Sequence, residues 1–267
     1  MRGLVSRLGL RAVALVYLAV ILVGPLAIVF WRTFEDGFAP AWDALATPET
    51  LNAFKLTLII TAIAVPVNTV FGIVCAVAIV RKRFPGKGVL NAFIDLPLAL
   101  SPVVVGLSLF LLYGQDGWFG SWLSDHGIQI IFAVPGMVLA TIFVCLPFVV
   151  REVEPVLREI GDEQEQAAAT LGASRWQTFF RITLPAIRYG IAYGVVLSMA
   201  RAIGEFGAVS VVSGKIAGET DTLTLLVENR YQNFDVAGAY AASALLALIA
   251  LATLLLMLRL RPRKDQA

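Results

Sequence analysis

The sequence predicts an all-α integral membrane protein with six transmembrane helices. Composition, six long apolar stretches and a segregation of basic residues among the intervening loops carry that prediction. Hydrophobic residues make up 58% of the chain and charged residues 15%, with a mean hydropathy of +0.81. Soluble domains hold about 45–50% apolar and about 25% charged residues. A soluble globule of this composition would expose apolar patches large enough to drive association. Disorder requires the reverse balance of low hydrophobicity and high net charge. A net charge of +2 supplies no basic face for nucleic acid. The 267 residues are read as a single transmembrane domain, 1–267.

A helix needs about 20 mainly apolar residues to cross a hydrocarbon core of about 30 Å. The first stretch, 12–31, is uncharged and bracketed by Arg11 and Arg32. It follows Arg2 and Arg7 as a secretory signal would, yet it is longer than a signal's apolar segment and shows no small-residue cleavage site, so it is expected to be retained. Residues 56–80 form a second uncharged stretch containing Pro66 and Asn68. The third, 90–113, carries Asp95 near its cytoplasmic start, a solvated interface position, followed by Pro97 and Pro102. The fourth and sixth are 128–150 and 236–258. The fifth, 189–212, is unusual in holding Arg201 and Glu205. Prolines are tolerated within spans because neighbouring helices and polar side chains satisfy the freed backbone groups. Cys75 and Cys145 sit inside apolar stretches and read as small apolar side chains, without the spacing of a disulfide framework or zinc site.

Lys and Arg number 3, 4, 5 and 4 in the N-terminus, second loop, fourth loop and C-terminus, against 2, 0 and 2 in the first, third and fifth loops. Short basic loops stay cytoplasmic. Both termini are therefore expected inside, which agrees with an even number of spans.

The fourth loop, 151–188, is longer than a bundle connection requires. Asp162 with Glu165 three residues on is an aspartate variant of the capping box, opening a helix through 164–171 that Gly172 would end. Ser174 with Gln177 is a second capping box, opening a helix through Trp176, Phe179, Phe180 and Ile182 until Pro185 interrupts it. The three aromatic side chains need a surface to cover them. Spacing alone supports a partner protein and the underside of the same bundle equally.

These residues also carry a resemblance. Gln166-Ala167-Ala168, then Gly172 after three residues, Ile182 after nine more, and Leu184-Pro185 resembles the EAA motif of ABC-importer permeases, Glu-Ala-Ala-x3-Gly-x9-Ile-x-Leu-Pro. The spacing is intact, in the last cytoplasmic loop before the final two spans. One position departs from the pattern: Gln166 stands where it has Glu, and Glu165 lies one place earlier. The likeness runs from about residue 51 to the end of the sixth stretch. The segment 200–208 is similar to one shared by sulfate and molybdate permeases. Residues 209–214 and 218–220, Asp95-Leu96-Pro97 and Ser101-Pro102-Val103-Val104 suit the W-type subunits of sulfate/thiosulfate importers.

The resemblance implies the MetI-like permease architecture and alternating-access import of sulfate or thiosulfate across the cytoplasmic membrane. It makes Glu165, Gln166, Ala167, Ala168, Gly172, Ile182, Leu184 and Pro185 part of a coupling hairpin that docks on two ATP-binding cassette subunits. Those subunits would bind ATP and Mg, leaving this chain without a cofactor of its own. A second, related permease, an external binding protein for the anion and the lipid bilayer complete the implied partners. A molybdate or tungstate permease would share the Arg201 segment. An ion-coupled secondary transporter would be expected to show several intramembrane acids or an internal repeat.

Arg201 lies 13 residues beyond Arg188, roughly 20 Å into the fifth stretch. Insertion scales put such an arginine at about 2.5–3.5 kcal/mol. Glu205 at i+4 shares its helix face and can pair with it, and Gly204 and Gly207 permit close approach or a helix break. Two roles stand: a lock or gate, or a pathway contact in which the guanidinium fork meets an oxyanion. The lock or gate is favoured, because a transport pathway should hold its cargo weakly. No catalytic constellation emerges around the single histidine, His126. Gly86-Lys87 and Gly214-Lys215 lack the remaining residues of a phosphate-binding loop, so the chain is not expected to hydrolyse ATP unaided.

Overall fold

The structure is a computed structural model and describes residues 11–260. Arg2, Arg7 and the basic residues of 261–264, which enter the topology argument, lie outside the described residues. The described chain is built of helices: α1 (Arg11–Phe34), α2 (Phe38–Leu45), α3 (Pro48–Arg81), α4 (Lys87–Ala99), α5 (Pro102–Tyr113), α6 (Gly120–Asp125), α7 (Val134–Glu159), α8 (Glu163–Thr170), α9 (Arg175–Ala186), α10 (Arg188–Ile203), α11 (Val209–Val212), α12 (Leu223–Gln232) and α13 (Val236–Leu260). Four of them, α1, α3, α7 and α13, are each long and apolar enough to cross a membrane. The third and fifth expected spans are bent pairs instead.

α3 is the central post. Thr47 caps it, its Oγ1 accepting from the Thr50 N–H at 3.3 Å, and Pro48 occupies the first turn, where its missing N–H costs nothing. Its 34 residues extend for about 50 Å. Thr57 and Thr61 donate their hydroxyls to carbonyls four residues back, which satisfies both in an apolar setting. Asn68 instead donates to the Ile142 carbonyl at 3.0 Å and ties α3 to α7. α3, α7 and α10 pack through small residues around Val149. A Cβ on Gly72 would fall 2.7 Å from the Val149 Cβ, and one on Gly194 would fall 2.8 Å from the Val149 Cα. Close approach of this kind replaces the hydrophobic drive that helices lack within lipid.

The core has two main layers. Toward one end Leu56, Ile60, Val105, Met137, Val144, Val209 and Leu225 pack together. Toward the other, Cys75, Ile79, Ile94, Val149, Val153, Leu157 and Ile187 do. Polar links segregate accordingly. Leu223 N donates to Thr57 Oγ1, Phe132 N to Val212 O, and Arg230 to Ala44 O and to the Thr47 and Thr50 hydroxyls, which gathers the first, third and fifth loops. Arg81, Asp95 and Arg151 join the second and fourth loops at the opposite end.

Four expected stretches change, the second starting at Pro48 rather than 56. The third stretch, 90–113, is broken by a bend of 112° between α4 and α5. Leu100 and Ser101 are both extended, the conformation imposed on the residue before Pro102. The fourth starts at Val134 rather than 128, with Pro135 in its first turn, and continues to Glu159, nine residues into the expected loop. Val153 and Leu157 are fully buried there, so packing holds the helix past the apolar run. The fifth ends as a helix at Ile203, and residues 204–208 turn before α11. That turn lies against the α4–α5 break: a Cβ on Gly207 would meet Pro102 Cβ at 2.9 Å, and one on Gly106 would meet the Ala208 carbonyl at 2.6 Å. Irregular backbone persists at membrane depth where protein covers it.

Candidate functional site

The 163–185 hairpin is built from local signals. After α8, Ala173 N donates to Ala168 O and Gly172 N to Ala169 O, both at 3.0 Å, the paired bonds of a Schellman cap. Gly172 supplies the required left-handed position, with φ +84°. The second capping box forms in full: Gln177 N donates to Ser174 Oγ at 3.3 Å, and Ser174 N to Gln177 Oε1 at 2.8 Å. α9 then opens into a π-turn at Phe179–Thr183, whose last residue, Thr183, is buried. The break expected at Pro185 falls at Ile187, where the chain bends by 67° into α10.

The first capping box does not form. Asp162 makes no side-chain cap, and Glu165 does not reach back to it. The Glu165 carboxylate lies on Arg81, Nε to Oε2 at 3.0 Å, and accepts from Thr183 Oγ1 at 2.8 Å. A charge-assisted bond to guanidinium outcompetes one to a neutral backbone N–H.

The motif thus splits by direction. Glu165, Ile182, Thr183 and Leu184 turn toward the bundle, with Thr183 buried. Gln166, Ala167, Gly172 and Pro185 are exposed, and Ala168 is half-buried. Leu171 is 88% exposed, Trp176 73% and Phe180 55%. Trp176 stacks on Phe180 at 5.8 Å, and Phe179 meets Phe180 edge-on at 5.1 Å. α8 buries none of its residues. Of the two covers that spacing left open, the bundle itself does not supply one.

The intramembrane charges pair as their spacing requires. Arg201 Nη1 lies 2.6 Å from Glu205 Oε2, without the alignment of a hydrogen bond; the arginine side chain is 32% exposed and the glutamate 1%. Glu205 Oε1 accepts from the Ala208 N–H at 2.8 Å, and the Glu205 carbonyl accepts from Thr224 Oγ1 at 2.8 Å. Glu205 therefore pins the turn that follows α10 and joins it to α12. Asp95 is half exposed, as an interface position should be, but it also carries a partner: Arg151 Nε donates to Oδ1 at 2.8 Å. The same guanidinium reaches Glu154, which in turn meets Arg158.

Sequence reasoning missed Arg81 as the hub beneath the hairpin. Its partners are 76 to 84 residues away, and only its place at the basic end of an apolar stretch hinted at a role.

Residues 68–266 match the family model described as "Binding-protein-dependent transport system inner membrane component". The chain belongs to this family. Among its relatives, the "Sulfate transport system permease protein CysW" of Synechocystis sp. is 52% identical over 247 residues, covering 92% of this chain and 90% of that one. The CysW protein of Escherichia coli (strain K12) is 51% identical, over 92% and 85% of the two chains. The "Sulfate transport system permease protein CysT" of the same strain is 40% identical, over 91% and 87%. A crystal structure of a bacterial ABC transporter involved in the import of the acidic polysaccharide alginate superposes with a TM-score of 0.77 over 97% of this chain and 93% of that chain, at 19% identity. That likeness shows the fold: this family member is an all-helical, multi-pass permease with the MetI-like architecture expected from its motif.

Proposed function

We propose that this chain is one of two permease subunits of an ATP-driven importer of sulfate and thiosulfate. The observation that carries the reading is an EAA-spaced hairpin presenting an uncovered Leu171-Trp176-Phe180 face, in a chain half-identical to proteins named CysW. The lower identity to CysT supports the second permease being a different, related chain.

In this reading two ATP-binding cassette subunits bind ATP and Mg and take the exposed face of the hairpin. Their closure moves the hairpin, the spans rock, and the pathway opens outward to receive the anion from an external binding protein. The basic loops keep both termini on the cytoplasmic side. This subunit supplies no hydrolytic chemistry; its residues bind partners and transmit displacement.

Arg201 and Glu205 serve as a lock beside the pathway. An arginine already neutralised by a carboxylate at 2.6 Å attracts a passing dianion weakly. The Ala208 and Thr224 bonds give Glu205 a structural task at the α10–α11 turn. Glu205→Gln keeps a carbonyl acceptor for Ala208 and leaves the arginine uncompensated. It is expected to lower uptake without abolishing insertion, as read by membrane fractionation beside transport.

A molybdate or tungstate permease remains the alternative for cargo. Competition of labelled sulfate uptake, in cells whose only sulfate route includes this chain, separates the two. Excess thiosulfate should suppress uptake while molybdate leaves it intact. Suppression by molybdate at equal or lower concentration would reassign the cargo.

A further inference from the structure

At the base of the hairpin one guanidinium draws four segments together. Arg81 is the last residue of α3 and is mostly buried. Its Nε donates to both Glu165 oxygens at 3.0 and 3.1 Å, its Nη1 to Leu157 O at 3.0 Å, and its Nη2 to Gly161 O at 2.6 Å. Leu157 lies in the last turn of α7 and Gly161 just beyond it, where free carbonyls and the helix dipole favour a cation. Glu165 Oε1 also accepts from Thr183 Oγ1 of α9 at 2.8 Å. The ends of α3 and α7 meet at the Arg81 guanidinium, and its pair with Glu165 adds both arms of the hairpin.

We propose that Glu165 is a positioning residue. It clamps the hairpin to the paired ends of α3 and α7, so that a displacement of the hairpin reaches those two spans as one body. The proposal rests on the reading that the hairpin docks on ATPase subunits.

The geometry separates this role from docking. Three bonds, from Arg81 and Thr183, turn the Glu165 carboxylate toward the bundle, whereas Gln166 one place later is exposed. α8 buries no residue of its own, so without the clamp its hold on the bundle reduces to the chain on either side of it. The hinge is firm where the hairpin ends: Ile187 is fully buried in one cluster with Ile79 of α3 and Leu157 of α7. A hairpin fixed at that hinge and clamped at Glu165 moves as a lever; fixed at the hinge alone, it would swing. Partly exposed pairs of this kind add little net stability, so the clamp's contribution is orientation.

Two experiments test it. Amide hydrogen exchange on the full chain in detergent needs no partner: Glu165→Gln should speed exchange across 163–173 while the core of α3 stays protected. In the assembled importer, Glu165→Gln and Thr183→Val should each lower the sulfate moved per ATP hydrolysed, the first by about fivefold or more, the low end of ordinary coupling between sites. Adding Gln166→Glu to Glu165→Gln should restore neither readout, because that charge faces outward. Unchanged exchange in Glu165→Gln overturns the clamp whatever the importer does. Recovery by Gln166→Glu overturns it too, since the acid would then be acting at the docking face. Altered exchange together with a wild-type assembly that imports no sulfate on ATP would support the clamp and overturn the importer reading.

Discussion

Gly172 and Asp221 show what single positions contribute here. At Gly172 nothing lies within 4 Å of where a Cβ would stand, so the demand for glycine comes from its φ of +84° alone. Gly172→Ala should cost about 1–2 kcal/mol of local strain. Gly172→Pro cannot adopt that angle at all, since the ring fixes φ near −65°. The proline variant is expected to insert into the membrane normally and to lose ATPase co-purification; normal co-purification would count against the hairpin as the docking element. Asp221, in the fifth loop, is held above the usual carboxylate range by burial, which its Asn229 contact and the Lys215 charge only partly oppose. The folded chain therefore binds that proton more tightly than the unfolded chain. Ionised Asp221 penalises the fold at neutral pH, and the penalty fades as pH falls through the raised value. Asp221→Asn should raise the thermal midpoint at neutral pH and remove the part of the acid-side gain that belongs to this group, measured by unfolding scans in detergent at neutral and mildly acidic pH.

At the level of helices, backbone proximity sets the tolerances. Gly194→Leu would drive a side chain into the Val149 backbone, and overpacking of this kind costs about 1–3 kcal/mol; a lowered thermal midpoint would show it, while Gly86→Ala, with open space around it but φ +86°, should cost only its backbone strain. Ser174→Ala removes the capping box and should cost about 1 kcal/mol at the start of α9. The elements readable from sequence are those fixed by neighbours in the chain: the Gly172 and Ser174 caps and the Arg201–Glu205 pairing one turn apart. The Asp162 cap failed because Glu165 had a stronger partner 84 residues away. The bend at Leu100–Ser101 falls at Pro102, which reads in sequence as a proline tolerated within one span, and its angle of 112° depends on the α10–α11 turn packed against it, which no local pattern encodes. The extension of α7 to Glu159 was hidden for a related reason, since Arg151 pairs with Asp95 of α4, 56 residues away, and Glu154 is covered between Arg151 and Arg158 on its own helix.

Across the whole molecule, composition and charge distribution were enough to place the chain in a membrane, and the EAA spacing was enough to place it in its family. The single-chain structure gathers the second and fourth loops at one end and the first, third and fifth at the other, which is the arrangement their basic residues require. What the sequence left level, whether the hairpin's aromatic face is covered by its own bundle, is answered by the exposed Trp176 and Phe180. That open face and the clamped base beneath it describe a subunit built to be moved by something else. The direct test is labelled sulfate uptake into vesicles holding this chain with its partner permease, ATPase subunits and binding protein. Uptake should require ATP and the binding protein together and should vanish when the ATPase subunits are left out. Uptake driven by an imposed ion gradient in the absence of those subunits would contradict the account at its centre.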